Sequence, residues 1–335
     1  MTAGEGGQSE KPLGDNPLGT ILYTPDGYMS AQLARPGRRA DDQEPDAYYI
    51  AYSGPFEVNE QARTVAHQVQ VSVIPSWRGT TAGLGSRDVE LIFGASDAVL
   101  VDCLMTVREA AALADCVALH DRQLTTIYIT HGHGDHFLGL SVPLDRFPHA
   151  RAVATSGTVQ QMRSQTTAQA LKNGDRARFP GQIADSIVLA EPLDGGHIEL
   201  EGLPVVVIET GHTDTVHTTA LHVPDLGLIV SGDVAYNHCH MYVAATTADS
   251  RAEWIAALDQ LAALSPAAVV TGHKDPTQGN PPSVLAESRG YLEYYGQLRE
   301  AALPDRDLFD AMVSRYPDWV SRQQFLLLDN PGIPT

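Results

Sequence analysis

Seven side chains in this sequence have the types and spacing to do chemistry together. The run His131-Gly132-His133-Gly134-Asp135-His136 packs three imidazoles and one carboxylate into six residues. Three further short runs follow: Gly211-His212-Thr213, Ser231-Gly232-Asp233 and Thr271-Gly272-His273. Imidazole and carboxylate in this mixture suit zinc, iron or manganese. Bound metal would lower the pKa of water toward ~7 and polarise a carbonyl, so no Ser or Cys nucleophile is required. A solvated histidine-rich loop would explain the first run alone. It would not explain three more ligand-type residues downstream, each beside a glycine.

The elements that must position these side chains can be read around them. Apolar runs alternate with helical patterns after Arg87. Strands are expected at 89–93 and 98–101, paired as a hairpin around Gly94–Asp97, and a helix over 106–119. Further strands are expected at 126–130, 152–155, 205–209, 218–223, 227–231 and 267–271. Helices are expected at 158–173, 251–264 and across most of 282–316. Four of the strands therefore end in His131, His212, Asp233 or His273. Side chains at strand ends gather in a common crevice in layered α/β folds. In His131-x-His133 the period of two puts both rings on one side. Asp135 and His136 fall in the next turn and point back.

This ordered set resembles the metallo-β-lactamase superfamily from about Arg87 to Glu300. The resemblance implies an αββα sandwich with a two-metal site at one edge. By that motif His131, His133 and His212 would hold the first ion, Asp135, His136 and His273 the second, and Asp233 would bridge them. The ions would be divalent and are expected to be zinc, with iron or manganese also compatible. True β-lactamases of the superfamily generally lack a bridging carboxylate, whereas its lactonase, glyoxalase II and phosphodiesterase branches have one. The implied activity is a dinuclear hydrolase in which metal-activated hydroxide cleaves a small ester, lactone or thioester. Asp135 and Asp233 would balance charge and accept or orient the proton of the nucleophile.

Tyr236 follows Asp233 in the spacing Asp-x-x-Tyr, which is similar to the quorum-lactone hydrolases. A phenol there could donate to a developing oxyanion, or it could be a core tyrosine. His238, His240 and Lys274 are candidate substrate contacts, with surface or structural roles as the alternative. Thr213 and Asp214 are placed to orient His212 by hydrogen bonds. Cys239 reads as inert.

Residues 1–16 are polar and glycine-rich and read as a disordered tail. Residues 17–80 read as a β-rich module of about five strands, with turns at Pro25-Asp26-Gly27, Pro36-Gly37 and Ser53-Gly54-Pro55. Tyr23–Ser30, Ala51–Gly54, His67–Val69 and Ser76–Gly79 resemble a lipocalin-like domain family. A closed barrel needs about eight strands, so the module would be partial, with an open edge that favours a homodimer or packing on the next domain. The third domain spans 87–335 and ends in a helical segment. The fold class is thus α/β, an αββα sandwich preceded by a small β-rich module.

The chain has 335 residues and a formal net charge of −19. That charge argues against nucleic acid or membrane as a partner, and against a nucleic-acid phosphodiesterase. Three cysteines are too few for a disulfide framework. With no signal-peptide pattern and no apolar run near ~18 residues, a cytoplasmic protein acting on a small molecule is expected. Iron-dependent redox chemistry and β-lactam amide hydrolysis are the alternative activities on the same fold. The chain lacks rubredoxin-type cysteine pairs and a flavin module, which disfavours the first. A non-catalytic scaffold is disfavoured because all seven ligand positions are filled.

Overall fold

A computed structural model describes residues 89–167, 171, 174–243 and 246–321, together with the backbone of five strands between Leu18 and Ser72. The chain divides into two compact units, Met1–Gly83 and Leu84–Thr335. The tail expected at residues 1–16 lies outside the described residues.

In the first unit the strands are β1 (Leu18–Tyr23), β2 (Tyr28–Ala34), β3 (Tyr49–Asn59), β4 (Thr64–His67) and β5 (Val71–Ser72). They form one sheet in the order β1-β2-β3-β4, with β5 also on β3. The turn expected at Ser53-Gly54-Pro55 is instead part of β3. Its first half pairs with β2 as far as Tyr28↔Pro55, and its second half pairs with β4 from Phe56↔His67. Pairing on both flanks overrides the local turn signal, and Pro55 sits at the final β2 register position, where a missing N–H costs least.

The second unit is built on two five-stranded sheets. The first runs β10-β9-β8-β7-β6 and comprises β6 (Glu90–Phe93), β7 (Asp97–Val101), β8 (Gln123–Tyr128), β9 (Arg151–Ala154) and β10 (Glu191–Pro192). The second runs β11-β12-β13-β14-β16 and comprises β11 (His197–Leu200), β12 (Leu203–Gly211), β13 (Thr218–Val223), β14 (Leu228–Val230) and β16 (Ala268–Val270). A short parallel pair, β15 (Tyr236–Asn237) with β17 (His273–Lys274), sits apart from both.

Strand β7 shows how the sequence makes layers. Val99 and Val101 join a core with Ile198, Val205, Leu221 and Val230 of the other sheet. Their neighbours Ala98 and Leu100 join a second core with Leu113 and Val117 of helix α1 (Val107–Ala118) and Met162 of the later helix over Ser156–Gln165. Alternation by two thus feeds two cores from one strand, as a sheet covered on both faces requires. A third core packs the second sheet against the helices Ala248–Ala263 and Val284–Glu300, centred on the fully buried Trp254 and Tyr291. The order is helix, sheet, sheet, helix: the αββα sandwich.

Helix α1 starts at a complete capping box between Thr106 and Glu109. The helical C-terminal segment is two helices, Val284–Glu300 and Asp305–Arg315, because Pro304 interrupts the pattern and caps the second. No helix among the described residues is long and apolar enough to cross a membrane.

Candidate metal centre

The ends of β7, β8, β12, β14 and β16 converge on one edge of the sandwich. His131 follows β8 after Ile129 and Thr130, and the short helix Gly134–Phe137 carries Asp135 and His136 back beside it. The His131 and His136 rings lie 4.0 Å apart between centroids, and His131 and His133 5.0 Å apart. Asp233 arrives on a 3-10 turn after β14, where Gly232 takes a positive φ of 49°. His273 arrives on β17, hydrogen-bonded alongside Tyr236 of β15.

Six of the seven expected ligands come together. His131, His133 and Asp233 form one group with Asp214, and Asp135, His136 and His273 form a second; in each, the candidate ligand atoms lie within 4.8 Å of one another. Asp233 links the two groups. Its Oδ2 is 3.2 Å from His273 Nε2 and 3.9 Å from His131 Nε2, and its Oδ1 is 3.4 Å from His136 Nε2. His212 is half-buried and is not in either group.

Electrostatics bind the cluster. Burial works against ionisation of Asp233, yet the imidazoles of His273 and His136 hold its carboxyl well below the usual range. Burial lowers His273 too, but Asp233 and Asp135 outweigh it and raise its pKa to about 9. His136 is likewise driven up against its burial by Asp233 and Asp102. His131 goes the other way, to about 4, because burial and the neighbouring His136 dominate.

The residues fit a pair of cations. His131 Nε2, His136 Nε2, Asp214 Oδ2 and Asp233 Oδ1 are all buried and have no hydrogen-bond partner among the described residues. Asp214 Oδ2 does lie 2.7 Å from His133 Nδ1, as an ion pair without hydrogen-bond alignment. Native proteins seldom leave buried polar atoms unmatched. Four of them in one cluster, from donors that suit borderline divalent ions, are what a metal centre needs.

The sequence reading missed Asp102. It is buried at the end of β7 with a φ of 63°. Its carboxylate accepts from the Thr130 amide at 2.9 Å, from Thr130 Oγ1 at 2.8 Å and from His136 Nδ1 at 2.8 Å. That last bond fixes the tautomer of His136 and leaves Nε2 facing the cluster. The available signal was its place, just past an apolar strand like the ligands. Tyr242 was missed too. It is half-buried and meets His133 edge-on at 5.8 Å, beside the more open side of the cluster.

The candidate substrate residues have other partners. Tyr236 is fully buried, stacks on His273 at 5.3 Å, and donates its hydroxyl to Asp233 Oδ2 at 2.8 Å. His240 is fully buried among Tyr291, Tyr316 and Trp319. His238 stacks on Trp319 and pairs with Glu287 at 3.7 Å. Lys274 donates to Asn280 Oδ1 at 3.0 Å. Cys239 is buried, which pushes its thiol up to about 12, as an inert cysteine requires.

Comparison with known proteins agrees with this architecture. The similar solved structures include a metallo-beta-lactamase family protein of Thermus thermophilus, at 18% identity and a TM-score of 0.54, covering 72% of this chain and 88% of that one. The sec-alkyl sulfatase PisA1, solved as a double mutant, matches at 16% identity and a TM-score of 0.52, over 68% of this chain and 43% of that one. These likenesses establish the fold. No curated protein matches in sequence. Residues 1–100 match the lipocalin-like domain model. Residues 82–273, more than half of the chain, match the family model of the metallo-beta-lactamase superfamily, and the chain belongs to that superfamily of metal-dependent hydrolases.

Proposed function

We propose that this chain is a dinuclear hydrolase of small esters, lactones or thioesters. The observation that carries the reading is Asp233, a buried carboxylate whose two oxygens face both ligand groups. Asp135, His136 and His273 would hold one divalent ion, His131 and His133 would contribute to the other, and Asp233 would be shared. When bound, such ions lower the pKa of water toward ~7 and polarise a carbonyl.

The chain's own groups supply the rest. Tyr236 holds Asp233 in place through Oδ2, and Asp102 holds His136 through Nδ1. Asp135 is the most accessible carboxylate of the cluster: its side chain is 18% exposed, against 4% for Asp233. It is therefore the group that takes the proton of the attacking water and returns it to the departing alkoxide or thiolate. Tyr242 lies on the open side, where it can line the acyl part of a substrate. An overall charge of −19 favours neutral carbonyl compounds over polyanions.

The test is turnover of a panel of esters, lactones and thioesters by the zinc-loaded and manganese-loaded chain. Asp233→Ala should abolish it. Full activity in that variant would move the chemistry to another site.

A further inference from the structure

We infer that Asp214, not His212, completes the ligand set of the ion held by His131 and His133. The inference rests on the dinuclear reading above and refines it. The family resemblance assigns this position to His212, but the backbone turns the carboxylate two residues further on inward. The β12–β13 register shifts between Glu209 and Gly211, and Gly211 takes a φ of 77°. The turn beyond is tied down on every side. The Thr213 amide donates to the Thr215 carbonyl at 2.9 Å, Thr218 Oγ1 to the same carbonyl at 3.0 Å, and Thr210 Oγ1 to the Thr218 carbonyl at 2.8 Å. Gln161 Nε2 reaches Thr215 Oγ1 at 3.0 Å from the helix Ser156–Gln165. Thr213, Asp214 and Thr215 are all buried as a result, while His212 remains half-buried.

The Asp214 carboxylate is itself oriented. Thr213 Oγ1 donates to its Oδ1 at 2.8 Å, which leaves Oδ2 for the cluster. Oδ2 lies 2.7 Å from His133 Nδ1 and 3.5 Å from His131 Nε2. A buried carboxylate oxygen between two imidazoles, fixed through its other oxygen, has the build of a ligand held by an outer hydrogen bond. The two ions would then share four imidazoles and three carboxylates: His131, His133, His136 and His273 with Asp135, Asp214 and Asp233. Against two divalent cations this leaves one positive charge. A set with His212 in place of Asp214 would leave two. The extra carboxylate also shifts the donor set toward harder ions such as manganese.

The experiment uses the full chain, stripped with chelator and titrated with Co(II), reading ions per chain by metal analysis and the visible absorption of each site. The wild type should take up two ions. Asp214→Asn should weaken one of them at least tenfold and leave the other, and Asp214→Glu should restore much of the loss. His212→Ala, at a half-buried side chain, should keep both ions and an unchanged spectrum. Loss of an ion in His212→Ala with both retained in Asp214→Asn overturns the inference. So does retention of both ions in both variants, and in either case the dinuclear reading survives. A wild-type chain that binds no ion overturns both, whereas the two readings fail separately in every other outcome. If Asp214→Asn does not fold, the His212→Ala spectrum and the Asp214→Glu stoichiometry still decide.

Discussion

The Tyr236 hydroxyl donates to Asp233 Oδ2 at 2.8 Å, from three residues further along the chain and from the strand that pairs with His273. Burial first, and then the charge on Asp233, push the phenol well above its ordinary pKa, so it stays a donor at any working pH. Its place is behind the shared carboxylate. Tyr236→Phe removes only the hydroxyl and should reduce metal affinity by about 10–100-fold, the usual effect of losing an outer hydrogen bond to a ligand. Competition with a chromophoric chelator measures this. Unchanged affinity would mean that the imidazoles alone fix Asp233.

Asp102 makes a different kind of contribution. It accepts three hydrogen bonds, from the backbone and side chain of Thr130 and from His136. Asp102→Ala strands all three donors in the interior. A loss of about 3–5 kcal/mol is expected, as when one partner of a buried pair is removed. Urea unfolding of the metal-free protein should report it, since no metal term then enters the difference.

Metal removal should destabilise the second unit. The clustered carboxylates and imidazoles are buried together, and an ion that binds only the folded chain stabilises it by about 2.7 kcal/mol at a hundred times Kd. Chelation should lower Tm by roughly 5–10 °C for a unit of this size. Zinc or manganese should restore it, while magnesium, which prefers oxygen ligands, should not. A Tm indifferent to chelator would count against a preformed centre.

A pH-dependent contact lies far from the cluster. Glu201 accepts from the amides of Ala95, Ser96 and Asp97, which close the β6–β7 hairpin. These bonds favour its ionised form and lower its pKa. A lowered folded pKa gives stability that is present above the unfolded value and lost as pH falls through the folded one. Glu201→Gln should therefore melt below the wild type at pH 7, and the gap should close as the carboxyl protonates in acid. Paired melts at pH 7 and pH 3.5 test this, and a constant gap would assign the effect to shape alone.

Much of this was legible in the sequence because the signals were local. The hairpin around Gly94–Asp97, the strand before His131 and the helix α1 follow from apolar runs, glycine and helical spacing. Of the helix expected over 158–173, the described part runs Ser156–Gln165 with Thr155 as its cap, and Leu171 is again helical. What was not legible depended on neighbours distant in sequence. Asp102 is a centrepiece only because parallel pairing of β7 with β8 sets it against Thr130. His212 and Asp214 are two residues apart and both are ligand types. A bulge and a threonine-rich turn decide which one faces inward, and no spacing rule contains that choice. His238 and His240 looked available beside Asp233, and Lys274 beside His273, but the helix Val284–Glu300 and the segment from Tyr316 to Trp319 engage the two histidines, and Asn280 engages the lysine.

Gly272 sits against Asp233 so closely that even a methyl group there would overlap Oδ1, with the Gly232 backbone blocking retreat. A drifting descendant could therefore keep every imidazole and every carboxylate and still be extinguished by one alanine. Judging which relatives remain alive thus calls for inspecting the small residue before the last histidine, an inexpensive check that an inventory of ligands omits.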